Sequence, residues 1–280
     1  MTYSSVCVLF SYLISFRSSL CWRNIVTCRF GESLIAEHLT CIVMGTDEYT
    51  VNVLHEGCYS RSSVDHVYRK CNTVLIRGPS GAFVVNPGSV WNGPNLLSSL
   101  KSAGVHEPER EIKGVICTDG HAEHVGCMSI FSCAEMMIVG YDIQKRGDIF
   151  LEHDFCDGIA PYEFDENFYV VGTPGQRGPQ VSLIVNGRLV DPKNSECRES
   201  CTIAVTGNLF MDVQDASRVS FLDTWDGNHG DSNCDKENLI NSWRRSRGLI
   251  LERADWIVPA YGPPFKVKPE YSLTPCVELA

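Results

Sequence analysis

The chain has 280 residues, 44% of them hydrophobic and 21% charged, which suits one substantial buried core and excludes a disordered class. Its formal charge of −10 makes the average surface repel phosphate backbones and anionic membranes, so non-specific nucleic-acid binding is disfavoured. Fourteen cysteines in a domain of this size read as buried free thiols rather than disulfide staples, and with no Asn-x-Ser/Thr acceptor in the sequence the expected compartment is the cytosol.

The apolar run at residues 7–16 comes first. It lacks a basic lead and is shorter than the ~20 residues a membrane-spanning helix needs. It reads as an N-terminal helix or extension, and no membrane span is expected; a secreted or anchored chain is the alternative this run leaves open. Residues 1–48 are therefore set apart as an extension, residues 49–270 as one patterned domain and residues 271–280 as a tail.

Residues 49–55, 72–77 and 82–85 are β-branched or apolar runs bounded by turn residues, and Pro79, Ser80 and Gly81 join the latter two as a hairpin. Residues 95–103 carry Leu96, Leu97, Leu100 and Ala103 with Gly104 behind them, the pattern of a short helix stopped by a glycine. Further strands are expected at residues 114–118, 136–139, 168–171, 181–185, 202–206 and 256–258. Residues 238–251 space Leu239, Ile240, Trp243 and Ile250 as a helix over a sheet, with Arg244, Arg245 and Arg247 expected on its solvated face.

The strand at 114–118 runs into Asp119-Gly120-His121-Ala122-Glu123-His124-Val125-Gly126. In a tight strand-to-helix loop, side chains at alternate positions can converge on one point while a following Glu-His pair turns toward a second, which is how two adjacent metals are held. Alone, such a stretch more often marks ordinary loop histidines. Other blocks follow it at strand ends: Val84-Val85-Asn86-Pro87-Gly88 with Trp91 earlier, then Thr173-Pro174-Gly175-Gln176, Thr206-Gly207-Asn208, and Val258-Pro259-Ala260-Tyr261-Gly262-Pro263-Pro264-Phe265. In their order, these blocks resemble the signature of the metallo-β-lactamase superfamily over roughly residues 50 to 266. The last block, together with His153-Asp154-Phe155-Cys156, resembles one branch of it in particular.

The resemblance implies an α/β fold of the αββα type, a four-layer sandwich of two mixed sheets with outer helices. It also implies metal-ligand positions. Those of the first metal match Asp119, His121 and Gln176; those of the second match Glu123, His124 and Tyr261; the bridging carboxylate matches Asn208, and a supporting Asp matches Asn86. Most of these are substitutions. Asn208 is a neutral amide with a carbonyl oxygen to offer, Gln176 a weak donor, and Tyr261 binds well only when deprotonated from a pKa near ~10.

Structural zinc sites reach ~10–16 kcal/mol with a full set of His or thiolate ligands, and loss of one supporting group alone costs about 10- to 100-fold in affinity. With several ligands changed together, no metal is expected at full occupancy. Family catalysis by metal-bound hydroxide and Lewis-acid activation then falls away. The expectation is a cytoplasmic, non-catalytic domain whose family cleft takes a small-molecule or protein ligand. The alternative is a hydrolase of a thioester or RNA phosphodiester, with Asp119, His121, Glu123 and His124 holding one Zn, Mn or Fe ion and Glu123 as the candidate catalytic carboxylate.

Several other groups are read more plainly. Cys197 with Cys201, and Cys127 with Cys133, are core or surface thiols. Residues 172–178 form the ligand loop rather than a phosphate loop. His153 and Asp154 either face a substrate or hold a loop by hydrogen bonds. Residues 225–235 are expected to form an exposed loop. Nothing in the sequence indicates an oligomeric state.

Overall fold

The structure is a computed structural model that describes residues 48–63, 66–155, 160–175, 178–190, 199–217 and 233–271. The apolar run at 7–16, Gln176, Cys197 and residues 225–232 lie outside them.

Alternation sets the first strands. In β1 (Tyr49–His55), Tyr49 and Val51 are buried while the residues between and after them are only partly covered. A two-stranded hairpin, β2 (Cys58–Arg61) with β3 (Val67–Lys70), pairs with no other strand among the described residues. The expected hairpin at Pro79-Ser80 is present: β4 (Thr73–Gly78) pairs antiparallel with β5 (Gly81–Val85), Gly78 opposite Gly81 and Val74 opposite Val85. The helix expected at 95–103 is α1 (Gly93–Ser102), entered through Pro94 and left through Gly104 at φ 85°. A single turn, α2 (Pro108–Glu111), leads into β6 (Ile112–Cys117), and the four-residue α3 (Ala122–Val125) follows residues 119–121.

The chain continues through β7 (Met136–Val139), β8 (Asp142–Lys145) and β9 (Ile149–Leu151) to β10 (Tyr162–Asp165) and β11 (Phe168–Gly172). Then come β12 (Val181–Val190), β13 (Cys201–Gly207), the long α4 (Asn233–Arg253), β14 (Trp256–Pro259) and β15 (Phe265–Lys266). The last three residues of the stretch expected to be an exposed loop, 233–235, are the first of α4.

The two mixed sheets that were expected are the two halves of one hydrogen-bonded ribbon. The strand order β15-β14-β13-β12-β1-β4-β5-β6-β7-β8-β9 is hydrogen-bonded throughout, with β11 on β12 and β10 on β11. The join is a change of partner along β12. Its first half, Val181 to Val185, pairs antiparallel with β11, and its second, Gly187 to Val190, pairs parallel with β1. Gly187 sits at the change, where a Cβ would come 2.3 Å from the Tyr49 carbonyl oxygen, so no larger residue fits.

Three apolar clusters divide the ribbon into layers. Val51, Val74, Phe83, Ile116 and Ile138 of one half meet Phe168, Val170, Leu183, Val205 and Val258 of the other in an inner core. The opposite face of the first half, with Leu75, Val84 and Val115, is covered by Leu96 and Leu100 of α1. That of the second, with Ile184, Ala204 and Ile257, is covered by Trp243 and Ile250 of α4. The order is helix, sheet, sheet, helix, as the alternation of apolar faces requires, and parallel and antiparallel pairs are mixed in both halves.

One arginine of α4 departs from the expected solvated face. Arg247 is completely buried, with Nη1 donating to Asp215 Oδ2 at 2.9 Å and to the Leu209 carbonyl at 3.1 Å, Nη2 donating to the Asp215 carbonyl at 2.6 Å, and the guanidinium 4.1 Å from the Phe210 ring centroid. Helical spacing alone could not reveal this, because the burial depends on an acidic partner from a distant loop. Among the described residues no helix is long and apolar enough to cross a membrane.

Candidate functional site

One end of the sandwich gathers the strand ends that the sequence blocks mark. β5 runs into Asn86, whose φ of 49° lies in the left-handed region that Asn tolerates better than most side chains. β6 runs into Thr118 and Asp119, β13 into Asn208, and β14 into Ala260 and Tyr261. The close approach of β13 to β6 needs Gly207, at φ 50° and with space for a Cβ only 2.1 Å from Thr118 Oγ1.

Asp119, Glu123, His124, Asn208 and Tyr261 are all buried, and His121 is partly exposed. The structure brings all six together. Asp119 Oδ1 accepts the His121 backbone N–H at 2.8 Å and pairs with His121 Nδ1 at 2.8 Å. Asn208 Nδ2 donates to Asp119 Oδ2 at 2.9 Å and lies 3.0 Å from His124 Nε2. The amide nitrogen of Asn208 thus faces the cluster, opposite a carboxylate that can only accept.

His124 Nδ1 lies 3.4 Å from Thr118 Oγ1, which in turn donates to Asn86 Oδ1 at 3.2 Å, while Thr118 N donates to the same oxygen at 2.8 Å. Donors and acceptors therefore run one way: His124 gives its Nδ1 proton to Thr118 and receives one from Asn208. On the other side, Tyr261 Oη donates to Glu123 at 3.2 Å, and Arg69 Nε lies 3.2 Å from Glu123 Oε1.

The charge states follow from these contacts. Burial opposes ionisation of Asp119, but hydrogen bonding from His121 and the nearby His124 prevail and hold its carboxyl far below the usual carboxylate range. Burial pushes Glu123 up, against the pull of Arg69 and the Tyr261 hydroxyl. Burial lowers His124 to about 4 despite Asp119 beside it, so the ring is neutral at pH 7. Burial and the Glu123 charge push the Tyr261 phenol well above the usual tyrosine range.

Two residues of this cluster escape the sequence blocks. Arg69 lies on β3, in a short polar strand with nothing to link it to Glu123. Cys71 donates its thiol to the Glu123 carbonyl at 2.8 Å and is buried; among fourteen cysteines it carries no distinguishing mark. Asn86 takes the supporting position expected of it. Gln176 lies outside the described residues. Among the described residues, no group of three or more His, Cys, Asp or Glu side chains is placed to hold a metal ion.

His153 makes contacts within its own loop region. Its Nε2 lies 2.8 Å from the Ala160 carbonyl, and its ring packs edge-on against Phe155 at 4.5 Å. Cys127 is buried and Cys133 exposed, both as free thiols.

No family model matches the sequence. The chain is 35% identical over 222 residues to metallo-β-lactamase domain-containing protein 1 of Xenopus laevis, covering 78% of this chain and 82% of that protein. The chain belongs to the metallo-β-lactamase domain-containing protein 1 family. The human member of the family is 29% identical over 254 residues, covering 81% of this chain and 85% of its own length. Among solved structures, a B3 metallo-β-lactamase described as the first with an active-site glutamic acid superposes with a TM-score of 0.50 at 11% identity, covering 72% of this chain and 79% of that one. That likeness bears on the fold, which is the metallo-β-lactamase fold.

Proposed function

We propose that this chain is a non-catalytic member of its family, in which a hydrogen-bonded polar cluster replaces the dinuclear metal centre and the site serves to bind a small-molecule or protein ligand. The supporting observation is that the cluster's acceptor atoms already have internal donors. Both oxygens of Asp119 are taken, by His121 and Asn208; His124 Nε2 faces the Asn208 amide; Glu123 faces Arg69 and Tyr261. A divalent cation needs those same lone pairs, and it would meet a guanidinium and amide hydrogens instead.

The residues present therefore do not fit the family's pair of metals. One observation favours the other reading, a hydrolase with a single altered metal: His121 has its Nδ1 on Asp119 and a side chain 28% exposed. A single imidazole is a poor anchor without further free donors. The six free thiols among the described residues are compatible with a reducing compartment.

Elemental analysis of protein purified without chelator tests the proposal. Less than one tightly bound transition-metal ion per chain, with no rise in melting temperature on adding Zn²⁺ or Mn²⁺, is the expected result. One or two tightly held ions per chain would overturn it.

A further inference from the structure

The β2–β3 hairpin stands outside the main sheet, and most of its residues are exposed. Its root is fixed by Asn72: Gly57 N donates to Asn72 Oδ1 at 2.6 Å, and Asn72 Nδ2 donates to the Pro259 and Gly262 carbonyls at 2.7 and 2.9 Å. Beyond the root, two contacts tie it to the site. One is the ion pair of Arg69 with Glu123, and the other is the Tyr59 ring, 5.5 Å from that of Tyr261.

Arg69 Nε lies 3.2 Å from Glu123 Oε1, and Glu123 in turn accepts from Tyr261 Oη at 3.2 Å and has Oε1 3.9 Å from His124 Nε2, so the guanidinium stands beside the three side chains at the family's second-metal positions. Asn208 Nδ2 meanwhile touches one residue from each metal set, Asp119 of the first and His124 of the second. Glu123 is 5% exposed, and a carboxylate so placed needs a cation or a hydrogen-bond donor beside it. A mobile ion has no claim to that place while a covalently attached guanidinium fills it.

We infer that Arg69 is the site's resident cation, taking the place of the second metal and strapping the β2–β3 hairpin across the cluster. This rests on the reading of the site as metal-free. It goes further by assigning the replacing charge to one residue and by coupling the hairpin's closure to it. With Arg69 and Asn208 both reversed, the remaining Asp119, His121, Glu123 and His124 become a latent cation site.

Two measurements test this. In Arg69→Gln, backbone amides of residues 58–61 and 67–70 should exchange with deuterium about tenfold faster than in the parent while those of β4 and β6 are unchanged, and Arg69→Lys should restore part of the protection. Calorimetry with MnCl₂ should find binding to Arg69→Gln/Asn208→Asp at least about tenfold tighter than to the parent, since the change removes a cation and adds a carboxylate donor. Unchanged hairpin exchange in Arg69→Gln would overturn the strap, and equal Mn²⁺ affinity of the double variant and parent would overturn the resident-cation assignment. Metal found in the parent protein would instead remove the reading under Proposed function, and the exchange comparison keeps the two failures apart. Should the double variant not fold, Arg69→Lys decides alone: exchange slower than in Arg69→Gln supports the charge-based strap, and exchange as fast as in Arg69→Gln overturns it.

Discussion

Asn208 turns its amide nitrogen, not its oxygen, toward Asp119, with 2.9 Å between Nδ2 and Oδ2. The bond joins the end of β13 to the end of β6, so it ties the two halves of the sandwich at the site. Replacing Asn208 by Leu leaves a buried, ionised Asp119 oxygen and the His124 ring nitrogen without a donor, and should cost about 1–3 kcal/mol of stability. Urea denaturation at pH 7 measures it, and a variant as stable as the parent would contradict the donor role.

His124 gives the domain a pH signature. Its folded pKa, about 4, is below the 6.5 of an unfolded histidine, so the unfolded chain binds the proton first as the solution is acidified. The stability contribution is complete above pH 6.5 and is lost as pH falls from 6.5 toward 4. Melting temperatures across that window should decline in the parent and decline less in His124→Gln, which removes the titrating ring; parallel profiles would argue against the assignment.

Arg247 and Asp215 form a buried pair that braces residues 209–215, where Met211 N also donates to Asp215 Oδ2 at 2.8 Å. Met211 in turn accepts the Tyr261 backbone N–H at 2.8 Å, which links the brace to the site. Arg247→Met strands the Asp215 charge and should cost roughly 3–5 kcal/mol, with Arg247→Lys recovering only part because it lacks the planar fork. Denaturation of the two variants side by side checks the ranking.

Gly207→Ala tests the close approach beneath Asn208. The new methyl would sit 2.1 Å from Thr118 Oγ1 at a φ of 50°, forcing β6 and β13 apart and costing roughly 3 kcal/mol. A melting temperature within a degree of the parent would mean the strands have slack that the geometry denies.

How much of this was legible in the sequence varies with the kind of residue. Apolar strands such as β6 and β13 were found by pattern, because burial on both faces leaves few polar residues in them. The second half of β12 was missed since Asn186 and Gly187 look like a strand's end, and only the partner β1 reveals why a glycine is needed there. The β2–β3 hairpin was missed for the opposite reason, being polar and exposed, so Arg69 stayed invisible until the fold placed it on Glu123. Ligand positions could be matched along the chain, but which atom of Asn208 faces inward depends on what lies opposite, and that is settled only in three dimensions.

Because β12 lends its first residues to β11 and its last to β1, neither half of the sandwich can be cut free with a complete set of strands. A chain divided between Val190 and Cys201 would leave one piece without the seam that closes its edge. A disturbance that slides β12 along its length would therefore be felt at both β11 and β1 at once.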